Sequence, residues 1–246
     1  MKLLLTSSGI ANASLEAALV DLLGKPIKDC SALFIPTAIY PYPGGFGMAW
    51  RAANGTSPSP LTHLGWKSLG LLELTALPSM AAANWQAAVA AADVLLAWGG
   101  DPLYLAYWLA ESGLSAYLKT LPQPPVYVGV SAGSMATARI FAENYTHPPD
   151  AARRPLTSEE VIVATPQGEA RQTLMTANGM GLTEFAIIPH FEHPDHPDAS
   201  RANAGTWAAR LPVPVYAIDD QTGIKVDGTT VEVISEGQWT RFEPVR

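Results

Sequence analysis

The first half of the chain alternates between two kinds of segment, and this alternation restricts the folds open to it more than any other feature. Short, β-like apolar runs at 2–7, 32–36, 71–77, 94–98 and 126–131 are separated by stretches with helical spacing. Leu15, Ala18, Leu19 and Leu22 form one apolar stripe behind the candidate caps Asn12 and Ser14, and Gly24 closes it. Alanine-rich residues 81–92 and the segment 103–121 supply two further helices. Strands that return to their sheet through helices pair in parallel, and such a sheet needs helices on both faces. The pattern therefore predicts an α/β fold around a mostly parallel sheet.

The second half is less regular. Residues 143–158, with Pro148, Pro149 and Pro155, read as a surface loop. Strands are expected at 161–165 and 185–189, and a helix over 200–210. The tail, VYAIDD, GIKVDG, TVEVISEG and WTRFE, reads as short strands joined by turns, with Asp227-Gly228 as a hairpin signal. Neither an internal repeat nor a compositional break divides the 246 residues, so a single domain over 1–246 is expected. The segment 40–60, YPYPGGFGMAWRAANGTSPSP, reads either as a cover for a site or as a surface excursion with one short helix.

Composition excludes several classes. A formal charge of −7 and a pI of about 5.2, without any Lys/Arg cluster, argue against nucleic acid and anionic membrane as partners. Cys30 is the one cysteine, so no intrachain disulfide forms, and its simplest role is that of a small buried hydrophobe. The N-terminus MKLLLTSSGIANAS imitates an export signal, but its apolar run covers only residues 3–5 before Thr6, Ser7 and Ser8. It reads as a first strand, and a cytoplasmic location is expected.

Chemistry concentrates in a few places. Residues 126–135, VYVGVSAGSM, contain G-x-S-x-G between an apolar run and a helix expected at 134–139. In a nucleophile elbow the serine sits on a sharp, strained turn that tolerates only tiny neighbours, which accounts for Gly129 and Gly133. The N–H of Ala132 then faces any oxyanion formed at Ser131. A second donor is available from the turn in VLLAWGGD, where a strand runs into Gly99, Gly100 and Asp101. Of the five histidines, His190 ends the apolar run FAIIPH and is best placed as a base. The same region, HFEHPDH, offers a rival reading, because His190, Glu192, His193, Asp195 and His196 are all potential metal ligands. Asp219 and Asp220 follow another strand and are both candidates for the acid that orients His190, ahead of Glu143, Asp150 and Glu192.

These segments resemble a known family. AWGGDPLYL is similar to the GGN/GGD loop, GVSAGSM to the serine elbow and IIPHF to the strand-end histidine of the peptidase E (α-aspartyl dipeptidase) and cyanophycinase group of serine peptidases; AIDDQTGIKVDG resembles the cyanophycinase-like acidic stretch. The resemblance implies a three-layer α/β/α fold of the class I glutamine amidotransferase-like (flavodoxin-like) type. It implies Ser131 as nucleophile, His190 as base, and the amides of Gly100 and Ala132 as the oxyanion hole. By position it implies Asp220 as the acid, where relatives usually carry glutamate, with Asp219 as the alternative.

For substrate, the resemblance implies a dipeptide or small peptide. Arg201 in DASRAN stands where aspartyl dipeptidases hold the substrate's aspartate, whereas Asp101, in place of the usual asparagine, would repel that side chain and attract a free α-amino group. Cleavage of β-linked aspartyl-arginine units is the enzymatic alternative, and a non-catalytic amidotransferase-like binding protein is the alternative of another class. No metal or organic cofactor is required by the serine scheme, and a homodimer is the oligomer considered.

Overall fold

The computed structural model describes residues 1–56, 59, 61–147 and 155–244. In chain order the first half runs β1 (Lys2–Thr6), α1 (Ala13–Leu23), β2 (Ser31–Ile35), α2 (Gly45–Ala53), β3 (Ser68–Leu71), α3 (Ala82–Ala91), β4 (Val94–Ala97), α4 (Pro102–Glu111), α5 (Leu114–Leu118) and β5 (Val126–Val130). The second half continues with α6 (Ala132–Met135), β6 (Ile140–Tyr145), β7 (Thr157–Thr165), β8 (Gly168–Asn178), β9 (Ala186–Ile188), α7 (Arg201–Ala208), β10 (Val215–Ile218), β11 (Thr222–Asp227), β12 (Thr230–Ser235) and β13 (Trp239–Phe242).

The main sheet has seven strands in the order β12-β11-β1-β5-β4-β2-β3. Its five strands from the first half are parallel, and β11 and β12 extend the β1 edge as an antiparallel hairpin. Alternate residues of each strand feed opposite faces, as the two-residue period of a strand requires. Leu3, Leu5, Leu95, Ala97 and Tyr127 join a core with α3, α4, α5 and α7, whereas Leu4, Phe34, Val94, Leu96 and Val128 join a second core with α1 and α2. The result is a mostly parallel sheet covered on both faces, the expected α/β architecture. The expected stripe Leu15, Ala18, Leu19 and Leu22 is buried, Asn12 caps α1 by accepting from the Leu15 N–H, and Gly24 ends it in the left-handed conformation.

Several boundaries differ from expectation. The strand expected at 71–77 lies at Ser68–Leu71, because its register with β2 pairs Ser31 with Ser68; Leu72, Leu74 and Leu77 reach the core from the following turn. The helix expected over 103–121 breaks at Gly113, whose φ of 78° only glycine adopts readily. The elbow helix is a single turn, because the Ala136 and Thr137 carbonyls turn outward to accept from Met180 and Leu182.

The proline-rich segment 143–158 is not simply a loop: Glu143, Asn144 and Tyr145 lie in β6, and Thr157 and Ser158 begin β7. Residues 148–154, including Pro148, Pro149 and Asp150, lie outside the described residues. Strands β6, β8 and β7 form a separate antiparallel sheet that packs beside α7 and β9, and β9, β10 and β13 form a third. The hairpin at Asp227-Gly228 is present, with Gly228 at φ 59°. Among the described residues no helix is long and apolar enough to cross a membrane.

Candidate active site

Five strand ends converge on one place: Ser7 and Ser8 follow β1, Gly99 and Gly100 follow β4, Ser131 follows β5, His190 lies just beyond β9, and Asp220 just beyond β10. Parallel strands that end together leave a crevice at their carboxyl edge, the usual place for a site in such sheets.

Ser131 stands at the top of β5 with φ 50° and ψ −112°, a conformation rare for a residue with a Cβ. Its surroundings hold it there. The Ser131 N–H donates to the Thr6 carbonyl at 2.9 Å, the Ser134 hydroxyl donates to the same carbonyl at 2.7 Å, and the buried Tyr127 hydroxyl donates to the Gly133 carbonyl at 2.8 Å. A side chain at Gly133 would collide with the Ala97 carbonyl, and one at Gly129 with the Gly133 and Ser134 backbone, so the turn closes only on two glycines. Gly100 has φ 140°, and a Cβ there would strike the Ala38 carbonyl. Among the described residues, neither the Gly100 nor the Ala132 N–H donates to a protein acceptor.

His190 Nε2 lies 3.0 Å from Ser131 Oγ, and His190 Nδ1 lies 2.8 Å from Asp220 Oδ1. The hydrogen bond with His190 holds the Asp220 carboxyl below its usual range against the opposing effect of burial, and Ser8 contributes a further hydrogen bond. Asp219 faces elsewhere. Its carboxylate accepts from the Gln221 and Gln238 N–H groups and the Thr222 hydroxyl, stapling the β10–β11 turn to the segment before β13. Of the two aspartates weighed from sequence, only Asp220 therefore reaches His190.

Two cavities meet at this pair. The larger, about 710 Å³, is walled mainly by Ile39, Tyr42, Pro43, Met48 and Trp98. Tyr42, Pro43 and Met48 bring the segment 40–60 to the site, with α2 formed inside it; Ser57, Pro58 and Pro60 lie outside the described residues. The smaller, about 370 Å³, shares Ser131, His190, Gly100 and Tyr42 and carries Glu143, Asp195 and Asp198. Burial, reinforced by the neighbouring Asp198 and Asp101, pushes the Glu143 carboxyl well above its usual range, and burial also raises Asp198.

The structure does not bring the two residues expected to touch substrate to this crevice. Asp101 is 4% exposed, and its Oδ1 caps α4 by accepting from the Tyr104 N–H at 2.8 Å and from the Tyr145 hydroxyl at 3.2 Å. The helix N-terminus claims that carboxylate, and Asp101 lines neither cavity. Arg201 begins α7, where its guanidinium lies 5.2 Å over the Phe191 ring and its backbone N–H donates to Glu192 Oε1 at 2.9 Å, and it too is outside both cavities. This occupies Glu192.

The HFEHPDH segment does not assemble as a metal centre: His190 is engaged with Ser131 and Asp220, and His193 Nδ1 accepts from the Asp195 N–H. Among the described residues no three His, Cys, Asp or Glu side chains converge in a way that could hold a metal ion.

Sequence reasoning missed Ser7, which accepts from the His190 N–H at 3.0 Å and donates to the Ile218 carbonyl at 2.7 Å, and it missed Ser8. Their position directly after an apolar run was the available signal, the same one that identified Ser131. It also missed that His196 stacks on His190.

A structure designated peptidase E from Listeria monocytogenes EGD-e superposes with a TM-score of 0.60 at 16% identity, covering 96% of this chain and 98% of its own. A peptidase from an acI-B1 Actinobacterium superposes with a TM-score of 0.62 at 17% identity, covering 100% and 95% respectively. These likenesses bear on the fold. No match is found among curated proteins. The sequence model of peptidase family S51 matches residues 3–234, from the first strand of the main sheet to its last, so the chain belongs to peptidase family S51 and is a serine-family peptidase.

Proposed function

We propose that the chain hydrolyses dipeptides and similarly short peptides through an acyl-enzyme on Ser131. The observation that carries this reading is the bridging imidazole of His190, 3.0 Å from Ser131 Oγ and 2.8 Å from Asp220 Oδ1. An ionised Asp220 accepts a hydrogen bond from Nδ1–H, which stays on the ring, and leaves the Nε2 lone pair directed at the serine hydroxyl. Ser131 Oγ attacks the scissile carbonyl while its proton passes to His190 Nε2. The developing oxyanion is met by the Gly100 and Ala132 amides. His190 then protonates the leaving amine as the C–N bond breaks. Water adds to the ester while one of its protons passes to His190 Nε2, and His190 returns that proton to Ser131 Oγ as the ester C–O bond breaks and the acid product leaves.

The two cavities, about 710 and 370 Å³, fall within the roughly 300–1,000 Å³ typical of small-molecule sites, which supports a short substrate. A preference for N-terminal aspartate finds no support in the crevice, because Arg201 lies outside it. One observation favours the second reading, β-linked aspartyl-arginine cleavage: Glu143 and Asp198 line the smaller cavity, where a guanidinium would offset their desolvation.

The test is amino-acid release from α-Asp-X, neutral and β-Asp-Arg dipeptides by the wild type and Ser131→Ala, with and without chelator. Loss of release only in Ser131→Ala is expected, and the preferred dipeptide separates the two readings. Release that survives the substitution overturns both. If Ser131 also fails to react with a serine-directed phosphonate, a non-catalytic binding role replaces them.

A further inference from the structure

The mechanism above uses one of three histidines that stand together. The His196 ring stacks on that of His190, with centroids 4.2 Å apart and planes inclined by 16°, and it borders both cavities at Ser131. His193 stands edge-on to both rings at 6.4 and 5.6 Å, with its Nε2 3.8 Å from Asp220 Oδ2. His196 makes its face contact with the ring that must become an imidazolium during acylation. A neutral aromatic face so placed stabilises a cation, whereas a second imidazolium there repels it.

We infer that His196 is a positioning residue for the general base: its neutral ring holds one face of His190 in register with Ser131, and its protonation blocks acylation. This rests on the Ser131–His190 chemistry proposed above.

The charged and titratable surroundings are mixed. His190 and His193 oppose a proton on His196, while Asp198, two residues on, and Asp220, beyond β10, favour one. Asp195 from the same segment and Glu143 from β6 line the cavity that His196 borders. Burial is the largest influence and leaves the His196 pKa below the ordinary histidine value. The ring is therefore neutral at neutral pH and gains its proton only in acid.

The experiment follows phosphonylation of Ser131 by a fluorophosphonate, whose rate reports the nucleophile and base without requiring the natural substrate. The rate is measured from pH 4.5 to 9 for the wild type, His196→Phe and His196→Ala. Phenylalanine keeps a flat ring against His190 but cannot titrate. The wild type is expected to lose rate in acid more steeply than one proton allows. His196→Phe should stay within about 3-fold of wild type at pH 8 and show a single-proton acid limb. His196→Ala should be slower by about 10-fold or more throughout, as expected when a base loses its orientation.

An unchanged acid limb in His196→Phe, or a His196→Ala rate equal to wild type, overturns the inference. So does a His196→Phe rate as low as that of His196→Ala at pH 8. A wild type that is not labelled at Ser131 at any pH removes the serine mechanism itself, and this role with it.

Discussion

The hydroxyl of Ser7 accepts a hydrogen bond from the His190 backbone N–H at 3.0 Å and donates one to the Ile218 carbonyl at 2.7 Å. One buried side chain thereby ties the end of β1 to the residue that carries the base and to the last residue of β10, next to the aspartate pair. His190 itself sits at φ 57°, a conformation that a histidine holds only when its surroundings impose it. Replacing Ser7 with alanine leaves the His190 N–H without its acceptor, at a cost of about 1–3 kcal/mol, while the Ile218 carbonyl keeps the hydrogen bond from the Phe191 N–H. Ser7→Ala is expected to lower kcat by about 10-fold or more with a smaller change in KM, and to lower Tm. Steady-state kinetics and thermal unfolding on the same preparation check both effects.

The two adjacent aspartates are expected to separate cleanly by substitution. Asp220→Asn removes the acceptor that fixes the His190 tautomer and should reduce kcat on the order of 10³–10⁴-fold with the fold retained. Asp219→Asn replaces one oxygen of a carboxylate that accepts from Gln221, Thr222 and Gln238, so stability should fall while kcat stays within a few-fold of wild type. Equal kcat losses in the two variants would contradict the assignment.

At Gly133 the obstacle to any side chain is the Ala97 backbone carbonyl, which cannot swing away as a flexible side chain can. Gly133→Ala is expected to cost about 1–3 kcal/mol or more in stability and to displace Ser131 from His190. Thermal unfolding together with the phosphonylation rate should show both losses in the same variant.

The acidic cavity predicts a pH dependence of stability with a definite sign. Glu143 has a folded-state pKa raised by burial, so the folded protein retains a proton that the unfolded chain releases. Its contribution becomes unfavourable as pH rises from the unfolded carboxylate value toward the folded one. Asp220 works in the opposite sense: its folded pKa is lowered, so its contribution is present above the unfolded value and is lost as pH falls through the folded one. Glu143→Gln should therefore raise Tm at pH 8 by a few degrees, on the order of 2–4 °C per kcal/mol, and change it little near pH 4. The same variant should raise KM for β-Asp-Arg more than for a neutral dipeptide. A Tm gain that is equal at both pH values would contradict the argument.

Much of the architecture was legible because β1, β2, β4 and β5 are largely buried apolar runs and α1 carries one apolar stripe, whereas the exposed edge strand β3 was expected a few residues too late. The elbow was legible for a similar reason, since steric demand around Ser131 leaves a glycine signature. Strands β6 and β8 were not. IFAENY and GEARQTLMTAN mix charge with apolar residues, because β6 places Glu143 on a cavity and β8 begins in solvent, so neither run alternates cleanly. Asp101 misled for a definite cause: an aspartate before Pro102 serves equally as helix cap or as ligand, and only the fold shows that Tyr104 and Tyr145 claim it. Arg201 misled because distance along the chain from His190 says nothing of direction once Glu192, at φ 60°, turns the backbone. Ser7 meets His190 from the other end of the chain, which no local pattern encodes, and His196, six residues beyond His190 in HFEHPDH, stacks on it only through the turns between them.

The central claim is that Ser131 is the nucleophile, activated by His190. The most direct measurement is mass spectrometry of the intact protein and its peptides after reaction with a fluorophosphonate, in the wild type, Ser131→Ala and His190→Gln. The account predicts one adduct on Ser131 in the wild type, none in Ser131→Ala, and labelling slowed by at least about 100-fold in His190→Gln, the share that a positioned general base supplies. An adduct elsewhere that abolishes peptidase activity, or full activity in a protein whose Ser131 is blocked, would contradict it.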